Sequence, residues 1–357
     1  MGVFYGTILG TYILSFMSRC MDSKKLKKLA CIFAVFATLI LIIVGGLQRG
    51  IGDTGMYMHS YELMVNDPST ANFDGDAGFT LLNLLLIQIS TNPQTLVIVT
   101  AIIMHILNVK VFYKYRSYLE LELYMYITSG YYIVTMNGMR QCLAAALLFV
   151  FNKYLVEGKF KKYLICILII STIHGSALIM IPVYFIVRQE AWSKNVIKLI
   201  ILACVGVVFY DVFSEILFKT IEGTQYGHYS SFQEGGSSAM RTVVNSVPLI
   251  LAFIKRDRLK EKWPESNIFV NMALLNLIFV AFGMWNWIFN RFSLYFQLYN
   301  FILLPYIIKN CFKGKERRLI YVGFLICYFI FFYREQVLGL GMKYKSDYLN
   351  FRTIFYK

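Results

Sequence analysis

The stretch that decides the fold is LACIFAVFATLILIIVGGL, residues 29–47, which contains no charged residue. A helix of about twenty apolar residues spans the hydrocarbon core of a bilayer, so this stretch predicts a transmembrane helix. The apolar segment 3–17 precedes it, and the loop between the two carries Arg19 and four lysines within residues 24–28. Because this charge follows the first segment and does not precede it, segment 3–17 predicts an uncleaved first span with an external N-terminus and a cytoplasmic basic loop.

The composition excludes most other classes of protein. Hydrophobic residues make up 58% of the chain and charged residues 15%, whereas soluble domains are about half apolar and a quarter charged. The net charge of +15 lies mainly in short loops between apolar segments, which is typical of topology signals and not of nucleic-acid binding. The sequence has no CxxC pair, no HExxH and no phosphate-binding glycine loop, so we expect no metal, nucleotide or flavin cofactor.

Further apolar segments predict an all-α fold, a polytopic transmembrane helical bundle of about 12 spans. These segments are residues 79–89, 95–113, 119–136, 141–156, 163–187, 196–218, 242–254, 268–283, 292–308 and 319–332. Four basic loops can all be cytoplasmic only if an even number of crossings separates them. These loops are residues 19–28, 188–198, 255–262 and 309–318.

An alternative arrangement has about 10–12 spans, because irregular backbone is tolerated at membrane depth where protein buries it or a water-filled cavity meets it. In it, segment 79–89 is re-entrant and segment 163–187 breaks near His174. The basic residues within 114–116 and 159–162 then also become cytoplasmic, as the charge rule favours.

Two polar stretches, 49–78 and 219–241, are predicted to lie outside, and they are the loops long enough to help bind a substrate. We find no internal repeat of the kind that marks many transporters. The sequence therefore predicts one integral membrane domain over residues 1–357 with these two external loops.

The first candidate site is the sequence QRGIGDTGMY, residues 48–57, at the outer end of the second span. Three glycines within six residues favour a tight irregular turn whose backbone N–H groups can approach an anion. The planar guanidinium of Arg49 suits a phosphate, and Asp53 could orient Arg49 or act as a base. The alternative is an interfacial arginine beside a capping aspartate.

The second candidate is a polar helix face. Asn137, Arg140 and Gln141 share one side of a helix because they are spaced i, i+3 and i+4. The small residues 144–146 follow, and they permit close helix packing or a lateral opening for a lipid. Such a face must look into protein or water, unless Arg140 reaches back to the membrane interface.

Two other polar stretches interrupt apolar segments. Arg291 follows Asn290 in WNWIFNR, residues 285–291, whose tryptophans indicate a membrane interface, so a role in ligand binding competes with simple anchoring there. His174 lies between two apolar runs, where it could take or relay a proton near neutral pH or hydrogen-bond a neighbouring helix.

Three short motifs, in their order and spacing along nearly the whole chain, resemble the EpsG family of Wzy-like exopolysaccharide polymerases. They are RGIGD with Tyr57 at residues 49–57, then Asn137, Arg140, Gln141, Leu143 and Ala144, and then His174, Ser176, Ala177 and Leu178. The resemblance implies a metal-independent glycosyltransferase that joins undecaprenyl-diphosphate-linked oligosaccharide repeat units. It also implies a multi-pass location in the bacterial cytoplasmic membrane, with the reaction on its outer face.

The resemblance implies roles for the polar residues. Arginines would offset the charge that grows on the leaving diphosphate, and His174 or Asp53 would accept the proton of the acceptor hydroxyl. The expected catalytic residues are His174, Asp53, Arg49 and Arg140, and the expected substrate-binding residues are Arg291, Tyr57, Asn137, Gln141 and Asn290. The expected partners are the lipid-linked oligosaccharide, the growing polysaccharide, membrane lipid, a flippase and a chain-length regulator.

Two other functions use similar residues. A flippase or transporter of lipid-linked oligosaccharides would also need arginines in a membrane cavity, but it should have pseudo-symmetric halves. A membrane acyltransferase could use an intramembrane histidine. Incubating the purified protein with lipid-diphosphate repeat units and sizing the products separates the polymerase from both.

The charge asymmetry of the first two spans makes a testable topology prediction. In a variant whose native cysteines are replaced, an impermeant thiol reagent should label Asp53→Cys but not Lys25→Cys in intact cells, because residue 53 is outside and residue 25 is cytoplasmic. Labelling at residue 25 but not at residue 53 would overturn both the topology and an external site.

Overall fold

The computed structural model describes residues 1–210, 215 and 235–349. Within these residues the fold is all-helical, and no strand occurs. In chain order the helices are α1 (Gly2–Cys20), α2 (Lys27–Gly46), α3 (Thr54–Asn66), α4 (Ala77–Ile87), α5 (Gln94–Tyr115), α6 (Leu119–Thr128), α7 (Tyr131–Asn137), α8 (Met139–Val150), α9 (Asn152–Val156), α10 (Phe160–Ser171), α11 (Met180–Val187), α12 (Lys194–Val208), α13 (Ala239–Ile254), α14 (Arg256–Lys262), α15 (Ser266–Phe282), α16 (Ile288–Cys311) and α17 (Gly314–Phe332).

Three helical stretches are long and apolar enough to cross a membrane: α2, α5 and Gly314–Gly339, which is α17 with the π-helical turn that follows it. Shorter apolar helices add to them, among them α4, α8, α13 and α15. The prediction of a helical membrane protein is confirmed, and the count of twelve spans stays a prediction. Most of the predicted external loop 219–241, and the end of segment 196–218, lie outside the described residues.

The chain forms two compact units. The first contains Met1–Asn152, Ile165–Leu178 and Gly314–Lys357, and the second contains Lys153–Leu164 and Ile179–Lys313. The prediction of one membrane domain over residues 1–357 stays a prediction.

In the first unit, α2 and α5 pack antiparallel with their ends joined by side chains. At one end the amide of Gln94 donates to the carbonyl of Gly46 over 2.6 Å. At the opposite end, the guanidinium of Arg116 donates two hydrogen bonds to the carboxylate of Asp22, over 2.8 and 3.1 Å. Residues 47–93 therefore leave and rejoin this pair of helices at the same end, and α3 and α4 belong to that end.

The predicted segment 163–187 is not one continuous helix. Helix α10 ends at Ser171, three residues follow without helical geometry, and a 3₁₀ turn at Gly175–Ile179 leads into α11. Thr172 favours this end, because its hydroxyl donates to the carbonyl of Ile169 over 2.7 Å and so competes with the backbone ladder. The break that the alternative arrangement requires near His174 is confirmed.

The second unit has an aromatic and amide core. Trp263 packs on Phe269 and Tyr306, with ring centroids 4.3 and 4.4 Å apart. The buried side-chain amide of Asn276 donates to the side-chain oxygen Oδ1 of Asn245 over 2.8 Å and so joins α15 to α13. Interhelical amide bonds of this kind are a common connection between helices in membranes.

The tight turn predicted from the glycines is confirmed. Gly50 and Gly52 have φ of 79° and 52°, a region that residues with a Cβ adopt at a cost. The N–H of Asp53 donates to Asn137 Oδ1 over 2.8 Å. A Cβ on Gly52 would lie 2.1 Å from that same oxygen. The turn therefore needs glycine at residue 52 for both its conformation and its contact with Asn137.

We predict that Gly52→Ala destabilises the protein. The left-handed conformation costs an alanine about 1–2 kcal/mol, and the added methyl also displaces Asn137. Gly55→Ala is the matched control, since a Cβ there meets nothing within 4 Å and alanine gains roughly 0.5–1 kcal/mol over glycine inside a helix. Thermal unfolding in detergent should give a lower midpoint for Gly52→Ala and an unchanged or higher one for Gly55→Ala. Equal midpoints would contradict this reading of the turn.

Candidate active site

A buried carboxylate, Asp76, joins the segments of the candidate site in the first unit. It directly precedes α4 and is 9% exposed. Its Oδ2 forms an ion pair with Arg140 Nη1 at 2.9 Å and accepts from His174 Nδ1 over 3.0 Å. Its Oδ1 accepts from the backbone N–H of Gly175 over 3.2 Å. The site therefore brings together the start of α4, the start of α8 and the break after α10.

The start of α4 is held against that break by backbone contact. The N–H of Gly78 donates to the carbonyl of Thr172 over 2.7 Å. A Cβ on Gly78 would lie 2.3 Å from the Thr172 hydroxyl oxygen, so glycine is required for this approach. The irregular backbone after α10 thus supplies both the carbonyl that fixes α4 and the histidine that meets Asp76.

Arg140 lies against two aromatic rings. Its guanidinium is 5.5 Å from the centroid of the Tyr57 ring and 6.0 Å from that of Phe79. The two rings meet edge to face at 5.9 Å. A cation over an aromatic face is attracted by the negative charge of that face, so the rings and Asp76 together fix the position of Arg140.

The electrostatics keep Asp76 ionised. Burial by itself raises the pKa of Asp76, because it disfavours the charged form. The hydrogen bond from His174, the positive charges of His174 and Arg140, and the N–H of Gly175 outweigh burial and hold the pKa below its usual value. At neutral pH Asp76 is therefore a carboxylate acceptor, the proton of this contact lies on His174 Nδ1, and Nε2 is the nitrogen that remains basic when the ring is neutral.

A cavity of about 320 Å³ opens beside this cluster. Asp76 and Arg140 form part of its wall, Tyr57 and Phe79 contribute aromatic surface, and Asn83 lies on α4 among its lining residues. Ligand sites are typically concave, with much apolar surface and a few polar groups that fix orientation. The cavity is therefore the candidate binding site of the first unit.

The other residues predicted near the external turn have different partners. Arg49 forms an ion pair with Asp347, and its N–H donates to the carbonyl of Lys345 over 2.8 Å. Both groups of the ion pair are exposed. The sequence suggested that Asp53 could orient Arg49. In the structure, Asp347 forms the ion pair with Arg49.

The prediction of one polar helix face is wrong, because the helix is interrupted at Gly138. Asn137 ends α7, whereas Arg140 and Gln141 lie in the first turn of α8. Asn137 accepts the N–H of Asp53 and so positions the glycine turn. Gln141 donates to the hydroxyl of Ser176 over 3.3 Å, which ties α8 to the 3₁₀ turn after His174. Of the three predicted residues, Arg140 is the one that contacts Asp76 directly.

Arg291 and Asn290 belong to the second unit. The guanidinium of Arg291 stacks over the ring of Trp287 at 4.7 Å. The amide of Asn290 donates to the carbonyl of Gly283 over 3.4 Å, which closes the turn before α16. Their predicted part in substrate binding stays a prediction.

Sequence reasoning missed Asp76. An acidic residue placed directly before an apolar segment was a usable signal, because such a residue stands where a short helix begins at the membrane surface. Its partner His174 is 98 positions away, and no local spacing predicts that pairing. Within the described residues, no three His, Cys, Asp or Glu side chains come together as metal ligands.

The fold and the site together define the class of protein: an all-helical membrane protein with a charged cluster beside a cavity. A scan against protein-family models matches the EpsG family over residues 31–348. The chain belongs to the EpsG family, a family of Wzy-like polymerases. Comparison with curated proteins and with solved structures gives no match.

We predict that Asp76→Asn lowers polymer output by about a hundredfold or more, the usual range for loss of general acid–base catalysis. The neutral amide cannot stabilise a charged His174 and can present an N–H to it in place of an acceptor. Asp67→Asn is the matched control, because Asp67 caps the exposed turn Pro68–Thr70 and asparagine caps equally well. Polymer is measured by gel sizing at equal membrane abundance. Normal output from Asp76→Asn would remove Asp76 from the mechanism.

Proposed function

We propose that the chain is a metal-independent glycosyltransferase that polymerises undecaprenyl-diphosphate-linked oligosaccharide repeat units. The reaction takes place on the outer face of the bacterial cytoplasmic membrane. The observation that carries the proposal is the pair of Asp76 and His174 beside Arg140, at the wall of a cavity in the first unit. Membership of the EpsG family supports the same reaction class.

The pair of Asp76 and His174 suits the proton transfer that this reaction needs. The acceptor hydroxyl oxygen attacks the anomeric carbon of the donor sugar, and a new glycosidic C–O bond forms. The C–O bond to the diphosphate breaks, and its electron pair leaves on the diphosphate. His174 Nε2 takes the hydroxyl proton, while Asp76 orients the ring through Nδ1–H and stabilises the positive charge that forms.

Arg140 suits the leaving group. Its guanidinium carries five N–H donors in a planar fork that matches phosphate geometry. The contacts with Asp76 and the Tyr57 ring hold that fork in place before the reaction begins, and preorganised charge is the most effective kind of transition-state stabilisation. A diphosphate next to Arg140 can therefore leave without a metal ion.

Three other predicted residues of the first unit act around this centre. Asn137 and Gln141 position the glycine turn and the 3₁₀ turn that flank it. Arg49, held by Asp347 at the exposed edge of the same unit, is a second arginine for the diphosphate. Arg291 and Asn290 lie in the second unit, and we propose that they bind substrate there.

The membrane arrangement that fits this function has about ten full crossings or twelve, depending on whether α10 and α11 count as two spans or as one re-entrant pair. The bonds from Gln94 to Gly46 and from Arg116 to Asp22 support an α4 that returns to the outer side without crossing. With α4 external, every basic loop of the sequence becomes cytoplasmic. The candidate site then faces outside, where a lipid-linked oligosaccharide, a flippase and a chain-length regulator can reach it.

The role of His174 as the base gives a test. His174→Ala should abolish elongation, and His174→Gln should be almost as defective, because glutamine can donate to Asp76 but cannot accept a proton at neutral pH. Both variants should still bind lipid-diphosphate repeat units, since Arg140 is retained. Purified variants are incubated with such units, and both the product length and the bound lipid are measured.

The two variants separate a base from a structural histidine. A structural histidine predicts that glutamine restores elongation by keeping the contact with Asp76. Full activity of His174→Gln would move the base role to Asp53 or to the substrate. If the wild type binds repeat units but never elongates them, the proposed polymerase activity is refuted.

A further inference from the structure

The cavity beside Asp76 carries features that the reaction at His174 does not use. Its inner surface includes Asn83 on α4, which is 4% exposed. Among the residues that the structure describes, the side-chain oxygen of Asn83 has no hydrogen-bond partner. A buried acceptor without a donor is unusual in folded proteins and needs an explanation. A ligand that brings an O–H or N–H group into the cavity is such an explanation.

The rest of the lining resembles a surface for a sugar. Tyr57 and Phe79 provide aromatic surface, and Ser60, Thr80 and Asn72 provide hydroxyl and amide groups. A sugar ring has apolar C–H faces and a polar edge of hydroxyls, so it needs both kinds of surface at once. A few polar groups on an otherwise apolar wall fix the orientation of such a ligand.

The loop that borders the cavity is held by its own hydrogen bonds. The Thr80 hydroxyl donates to the Asn72 carbonyl over 2.6 Å, and the Asp74 N–H donates to the Asn72 side-chain oxygen over 2.6 Å. The Thr70 hydroxyl donates to the backbone carbonyl of Asp67 over 2.7 Å. A loop fixed in this way loses little further freedom when a ligand binds.

The charges of the lining decide between classes of sugar. Three lining residues are charged: Asp74, Asp76 and Arg140. Arg140 is paired with Asp76, which leaves the carboxylate of Asp74 to set the sign of the field. A negative field around Asp74 disfavours a sugar that carries a carboxylate there.

We propose that this cavity is the subsite for the acceptor sugar, that it selects an uncharged sugar over a uronic acid, and that Asn83 and Asp74 determine this specificity. The proposal rests on the proposed function, because the acceptor hydroxyl must reach His174 next to the cavity wall. Asn83 accepts a hydrogen bond from a hydroxyl or an acetamido N–H of the sugar. Asp74 repels a carboxylate at the same place.

Binding of methyl glycosides to the detergent-solubilised protein tests the proposal without any lipid-linked substrate. Methyl glucoside with methyl glucuronide, and methyl galactoside with methyl galacturonide, form two pairs that differ only by the carboxylate. Equilibrium dialysis should give a hexoside that binds roughly fivefold or more tightly than its uronide, given the exposure of Asp74. Asp74→Asn should close most of that gap. A uronide that binds the wild type as tightly as its hexoside overturns the proposal, and so does a wild type that binds none of the four probes.

The variant Asn83→Leu distinguishes a role of Asn83 in binding the sugar from a role in folding. Leucine is similar in size and leaves no buried acceptor, so the thermal midpoint should stay equal or rise, while hexoside binding should weaken roughly three- to tenfold. A lower midpoint, or unchanged hexoside binding, overturns the role of Asn83. Because dialysis measures no catalysis, selective binding without polymerisation refutes only the proposed function. Polymerisation without selectivity refutes only this inference.

Discussion

The carboxylate of Asp76 is the constraint on which the candidate site depends. It lies where burial is costly for a charge, and the charge of Arg140 together with two donors, His174 and the backbone N–H of Gly175, compensates that cost. Removing one partner of a buried ion pair typically costs about 3–5 kcal/mol, because the other charge is left without compensation. The same contacts therefore hold α4, α8 and the break after α10 together and orient His174 against Asp76.

Local properties of the sequence were predictable because they act over a few residues. Hydropathy over twenty residues was enough to predict the three helical stretches that are long and apolar enough to cross a membrane. The glycines were enough to predict the turn at Gly50 and Gly52. The i, i+3, i+4 spacing predicted one helix face for Asn137, Arg140 and Gln141, but the helix is interrupted at Gly138 and Asn137 belongs to α7. The spacing could not reveal that each has a different partner, because partners are set by how distant segments pack.

Long-range pairing is the part that a single sequence does not contain. Asp53 was the natural partner for Arg49 at a distance of four residues, yet the ion pair is made with Asp347 from the other end of the chain. The position of Asp76 directly before an apolar segment did not reveal its partner, since its histidine comes from a later segment. The choice of one carboxylate among several depends on packing energies that no charge count or spacing records.

Helix α4 is short, yet its start packs closely against Thr172 and its later residues line the cavity. At its start, Gly78 admits no side chain against Thr172, so any change there disturbs the approach that brings Asp76 to His174. Two to five residues later, Thr80 and Asn83 face a cavity and leave that approach untouched. Natural variation within a lineage can therefore accumulate at the second part of the helix while the first stays fixed. In that case the lining of the cavity changes while the contact between Asp76 and His174 does not.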